Sequence, residues 1–119
     1  MRYLKHLLLI SCLLASQTSF GHAVVTHNSL KLNPVPVNQT SEVALSFNSK
    51  VELDLSEVFL VSTGDVMQPI TATLGETAGH VTLHLPALAP GEYAIKLKIF
   101  AADGHLSEDL LRFFVKQPK

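Results

Sequence analysis

Asp103-Gly104-His105 sets a carboxylate and an imidazole two positions apart, with a glycine between them that can adopt backbone conformations other residues avoid. Both groups ligate borderline divalent metals, and a turn at Gly104 would bring their side chains to one point. Taken alone, D-G-H is common turn chemistry. What raises it is a further histidine, His22, just behind a segment that reads as removable on export. His80 and His84 have the i, i+4 spacing of a zinc pair on a helix. On a strand rising about 3.3 Å per residue they would stand roughly 13 Å apart, too far to share one ion. They are expected as exposed polar residues on an outer face, and His27 as a surface residue. No H-E-x-x-H, nucleophile elbow, phosphate-binding loop or C-x-x-C is present, and Ser, His and Asp occur at no spacing that supports a catalytic triad.

The start of the chain decides which donors exist. Arg2 and Lys5 precede the apolar run Leu7 to Ala15, and polar Ser16-Gln17-Thr18-Ser19 follows it. This is the charged, apolar and polar order of a secretory signal peptide. Ser19 and Gly21 suit the positions three and one before a cut, so residues 1–21 are expected to leave and His22 to become the amino terminus. A cut after Ala23 is the rival and would remove that histidine. Cys12, the single cysteine of the chain, leaves with the signal in either case. Leu9-Ile10-Ser11-Cys12 has a lipobox-like look, but its apolar run is short and continues past the cysteine.

The remainder must hold together by packing alone, without disulfides, which a domain of about a hundred residues can do. The 119-residue chain is 47% hydrophobic and 16% charged with a formal charge of −1, an ordinary globular composition. No basic excess points to nucleic acid, and no apolar run reaches the roughly 18 residues a membrane span needs.

The elements that must position the donors read as β throughout. Val43, Leu45 and Phe47 alternate with polar or small residues, as do Val81, Leu83 and Leu85, with His80, Thr82 and His84 opposite. Tyr93, Ile95, Leu97 and Ile99 form the longest alternation, and Leu111, Phe113 and Val115 the last one, with the D-G-H loop between them. Val24-Val25-Thr26 opens as an extended segment, and Val58 to Val61 is a fuller apolar run. Val51 to Leu55 alternates but suits a corner, and Pro34 and Pro36 keep their stretch out of a helix. Val66 to Leu74 is extended but interrupted by Pro69, as an edge strand tolerates. Short strands at about ten-residue spacing, with no amphipathic helix, indicate a single-domain Greek-key sandwich or small barrel.

Four features together resemble the CopC family of periplasmic copper-binding and copper-resistance proteins. They are His22-Ala23 behind the signal, Ala44-Leu45-Ser46-Phe47, Leu88-Ala89-Pro90-Gly91-Glu92-Tyr93, and Ala102-Asp103-Gly104-His105 before a terminal strand. The resemblance covers residues 22–119. It implies an immunoglobulin-like Greek-key β-sandwich of about seven strands. It further implies one Cu(II) ion per chain, held by His22 through its free amine and its ring, by Asp103 and by His105. The amine and Nδ1 of one terminal histidine close a six-membered chelate, and the other two donors complete the tetragonal N and O set that Cu(II) prefers. An amine that titrates near 7.7–8.0 and imidazoles near 6.5 must lose protons to bind, so acid should weaken the site. A carboxylate beside a ligand imidazole often sets its orientation, and Glu108 is a candidate for that role.

The role implied is copper buffering, sequestration or transfer in the periplasm by a non-enzymatic monomer, with a copper-handling inner-membrane protein as partner. Nucleic acid is not expected, nor a membrane span once the signal is gone. Departures from the family pattern are specific. Past the signal only Met67 is available, which argues against a Met-rich Cu(I) site. Ser49 stands where relatives carry an acidic residue, Leu97 where they carry Trp, and Asn28-Ser29-Leu30 where they carry S-T-P. Two other readings are a copper-dependent redox enzyme of the terminal-histidine monooxygenase type, against which an Asp in the copper plane argues, and a metal-free interaction module.

Overall fold

A computed structural model describes residues 23–117. Eight strands are present: β1 (Val25–Asn28), β2 (Ser41–Phe47), β3 (Glu57–Ser62), β4 (Val66–Pro69), β5 (Thr71–Leu74), β6 (His80–Leu85), β7 (Gly91–Phe100) and β8 (Leu106–Val115). They form two four-stranded antiparallel sheets, ordered β1-β2-β6-β5 and β4-β3-β7-β8. The chain changes sheet after β2, between β4 and β5, and after β6. That is the immunoglobulin Greek-key order.

The extended run 66–74, expected as one edge strand, is two strands in different sheets, which brings the count from about seven to eight. Pro69 ends β4 opposite Phe59, and the next amide, that of Ile70, still donates to Val58 O on β3, in the same sheet as β4 (3.1 Å). From Thr71 onward the chain pairs with β6 in the other sheet. Both pieces lie at sheet edges, where a residue without an N–H is tolerated.

The alternating apolar residues converge between the sheets. Val43, Leu45 and Phe47 face Val58 and Leu60 from across the sandwich, joined by Val81, Leu83, Leu85, Ile95, Leu97, Ile99, Phe113 and Val115. No polar or charged residue is buried among the described residues. Leu97 is fully buried as a core side chain. Val51 to Leu55 is the corner the sequence suggests: Val51 makes an isolated bridge to Ala101, and Leu53–Leu55 is a single 3-10 turn. A second such turn spans Ser29–Lys31, and Ser29 Oγ accepts from the Ala44 amide at 2.9 Å.

Two devices hold the long β7-β8 hairpin in place. At its open end, the Tyr93 hydroxyl donates to Ala89 O at 2.7 Å and its ring stacks on Phe113 at 5.7 Å. This is a tyrosine corner, and it accounts for the Leu88-to-Tyr93 punctuation as an architectural feature. At its loop end, the 50–56 corner is stitched to it. Ala102 N–H donates to Lys50 O (3.0 Å), Glu52 N–H to Phe100 O (2.8 Å), and Phe100 N–H to Ser56 Oγ (2.9 Å). The base of the D-G-H loop is therefore fixed from a neighbouring segment.

Candidate metal centre

Pairing along β7 and β8 runs from Gly91–Val115 to Phe100–Leu106, leaving residues 101–105 as the connecting loop. Ala101 N–H donates to His105 O and Gly104 N–H to Ala101 O, each at 2.9 Å. Gly104 turns the chain with φ +91°, a conformation that residues with a Cβ rarely adopt. The turn returns His105 over Asp103. Asp103 Oδ1 accepts from the His105 backbone N–H at 3.1 Å, and Oδ2 lies 2.9 Å from His105 Nδ1.

Two consequences follow for the chemistry of the pair. The His105 N–H, and after it the imidazole, hold the Asp103 carboxyl below the usual carboxylate range. The carboxylate also selects the ring tautomer. With Nδ1 protonated and donating, Nε2 carries the lone pair that a metal would take. Both side chains are substantially exposed, His105 by 59% and Asp103 by 41%, so an ion can reach them from solvent.

The beginning of the described chain meets this loop through the turn 48–50. Val24 N–H donates to Asn48 Oδ1 (2.8 Å), and Asn48 N–H returns a bond to Val24 O (3.1 Å). Two residues on, Lys50 O receives Ala102 N–H. The residue following the candidate ligand His22, Ala23, is buried in the core at this pole. His22 itself, like the expected signal segment 1–21, lies outside the described residues. Gly79 completes the support: its O accepts from Phe47 N–H at 2.7 Å. Its φ is +84°, and a Cβ there would sit 2.7 Å from Phe47 O and 3.2 Å from Ser49 O. Only glycine allows this close approach.

The remaining candidates separate. Among the described residues, no three or more of His, Cys, Asp and Glu converge. His84 sits on the outer face of the β1-β2-β6-β5 sheet, 3.0 Å from Thr73 Oγ1 and 3.6 Å from Glu42. His80 is on the same face two rows away, so the two do not form a pair. The carboxylate at His105 Nδ1 is Asp103, whereas Glu108 stands opposite Lys98 on the paired strands. That corrects the expectation for Glu108: the orienting group is inside the loop. Ser49 is half-buried, with an Oγ that has no hydrogen-bond partner among the described residues. The sequence reading missed Asn48 and Lys50 as the link between chain entry and loop. Nothing in their types signals it, because the link runs mostly through backbone groups.

Comparison with known proteins agrees with the architecture. No curated protein sequence matches this chain. The structure is similar to that of CopC from Methylosinus trichosporium OB3b, with a TM-score of 0.67 and 23% identity over 82% of this chain and 97% of that one. It is similar to PcoC, a copper resistance protein from Escherichia coli, with a TM-score of 0.60 and 14% identity over 78% and 99%. A second PcoC structure, of a protein described as methionine rich, gives 0.56 and 18% over 80% and 99%. At these identities the likeness speaks for the fold. The family model of the CopC domain matches residues 25–116, nearly all of the described sandwich, and the chain belongs to the CopC domain family.

Proposed function

We propose that this protein is an exported Cu(II)-binding protein that buffers, sequesters or hands over copper in the periplasm and carries out no catalysis. Residues 1–21 act as the signal peptide, and residues 22–119 are the mature copper-binding domain. One ion is bound tightly by the His22 amine and ring, the His105 imidazole through Nε2, and Asp103. The observation that carries this reading is the Asp103–His105 pair. It is a preset imidazole and an ionised carboxylate on an exposed loop, braced by the same short turn that receives the start of the described chain.

The donor set fits the metal. While Oδ2 holds His105 Nδ1 it lies on the far side of the ring from Nε2, out of reach of an ion there, so to ligate the carboxylate must swing off the ring as the metal arrives. Nitrogen and oxygen donors without sulfur suit Cu(II), which stands at the top of the divalent affinity order. The copper arrives as cargo, and an exposed site allows exchange with a copper-handling partner at the inner membrane.

The test is native mass spectrometry of the protein recovered from the periplasm, with and without Cu(II), together with electron paramagnetic resonance. The expected species begins at His22 and retains one Cu(II) after desalting, with nitrogen couplings in its spectrum that weaken in His105→Ala. A chain that begins elsewhere, or one that retains no copper, overturns the reading.

A further inference from the structure

The outer face of the β1-β2-β6-β5 sheet carries a second pair of imidazoles that topology, not sequence spacing, brings together. His27 on β1 and His80 on β6 are both register partners of Ser46 on β2, one from each side. The three residues form one row across three adjacent strands. Ser46 points outward, because its neighbours Leu45 and Phe47 point into the core. Both histidines are exposed.

The outward aim of His27 depends on a bulge. Val25 pairs with Phe47, but His27 rather than Thr26 pairs with Ser46. Thr26 is the inserted residue, and its Oγ1 donates to Ser46 O at 3.2 Å. Val25 packs against the core, so in a regular strand His27 would also face inward. The extra residue turns it to the outer face, onto the row of His80, as bulges re-aim side chains elsewhere.

The row is also clear of bulk. Ser46 separates the rings, and on the far side of His80 the next residue is Gly75, whose N–H donates to His80 O at 2.8 Å. A Cβ at Gly75 would come within 2.9 Å of His80 Cβ. Two strand spacings put the His27 and His80 backbones about 10 Å apart. With metal–nitrogen bonds of about 2 Å, each ring needs to lean only about 3 Å over Ser46 to share an ion.

We infer that His27 and His80 form a second binding site for a divalent transition metal, bridged over Ser46 and completed by water. The site favours Cu(II) over Zn(II) and is weaker than the His22 site, because it offers two donors and no chelate. It is distinct from the D-G-H loop, which lies on the hairpin of the other sheet. It would hold excess copper in an exchangeable form on the surface.

The test is titration of the mature chain with Cu(II) beyond one equivalent, followed by native mass spectrometry and electron paramagnetic resonance. The expected result is a second bound equivalent with its own nitrogen-coupled spectrum. It should be lost in His27→Ala and in His80→Ala, and retained when His105→Ala weakens the first. Ser46→Lys keeps both imidazoles but sets an ammonium between them, and it should abolish the second equivalent too. Metal-free melting curves show whether each variant is folded. The inference is overturned if no second equivalent binds, or if it survives in the folded Ser46→Lys chain or in both histidine variants. Loss of the first equivalent with retention of the second would count against the proposed function alone.

Discussion

At the scale of single residues, Asp103 does two things that one substitution can separate from folding. In the metal-free loop its carboxylate sets the His105 tautomer, and in the proposed site it turns from the ring to the ion as a ligand. Asp103→Asn keeps the shape and removes the charge, and both roles suffer. Affinity for Cu(II) should fall at least as far as outer-sphere changes at metal sites do, about 10- to 100-fold, while metal-free melting stays unchanged because the side chain is exposed. A competition titration against a Cu(II) chelator reads the affinity, and an unaltered value would remove Asp103 from the site. The pH dependence has a definite sign. The Asp103 carboxyl lies below its ordinary value, held there by the His105 N–H and ring. The loop contact is therefore complete above the ordinary carboxylate pKa and lost only as pH falls through the lowered one. A terminal amine takes up its proton near 7.7–8.0, far above that range. The apparent Cu(II) affinity should thus begin to fall below about pH 8, as protons compete for the amine, with Asp103 still ionised. An apparent affinity that stays constant until the carboxylate protonates would contradict an amine ligand.

At the scale of elements, much of the architecture is legible because antiparallel strands in a sandwich have one wet and one dry face. The alternation of Val43, Leu45 and Phe47, or of Ile95, Leu97 and Ile99, states which side chains enter the core. What alternation does not state is pairing. The run 66–74 looks like a single strand, and only the Ile70 amide, still bonded to Val58 while Thr71 pairs with His84, shows the change of sheet. The His27–Ser46–His80 row is hidden for the same reason, since it depends on a bulge and on which strand lies between. The glycines show the difference between a locally required residue and one required by a distant neighbour. Gly104 has a positive φ, with nothing within 4 Å of an added Cβ, whereas Gly79 would drive a Cβ against Phe47 O. Gly104→Ala should therefore cost about 1 kcal/mol through backbone conformation alone. Gly79→Ala adds a clash with β2 and should cost roughly 2–3 kcal/mol. Denaturant melts of the two variants side by side measure this, and equal losses would show that the Gly79 contact relaxes freely.

At the scale of the whole molecule, the candidate site is only half legible in the sequence. Asp103 and His105 are two residues apart and can be found by inspection. Their relation to the chain entry is a property of the closed sandwich, made by Asn48 and Lys50 between Val24 and Ala102. With the proposed ligand set, export chemistry and fold stability are coupled through that junction. A metal that binds only the folded state stabilises it by about 4 kcal/mol when its free concentration is 1,000 times Kd. For a domain of this size each kcal/mol raises Tm by about 4–8 °C, so copper should lift the melting temperature by roughly 15 °C or more. A chain whose terminal amine at His22 is acetylated has the same core, the same loop and the same imidazoles, but no amine to close the chelate. Its metal-free Tm should match that of the mature protein, and most of the copper-induced rise should disappear. Differential scanning calorimetry of the two chains with and without Cu(II) gives the four values needed. A full copper-induced rise in the acetylated chain would mean that the amine is not a ligand and that the Asp103–His105 loop holds copper with some other donor.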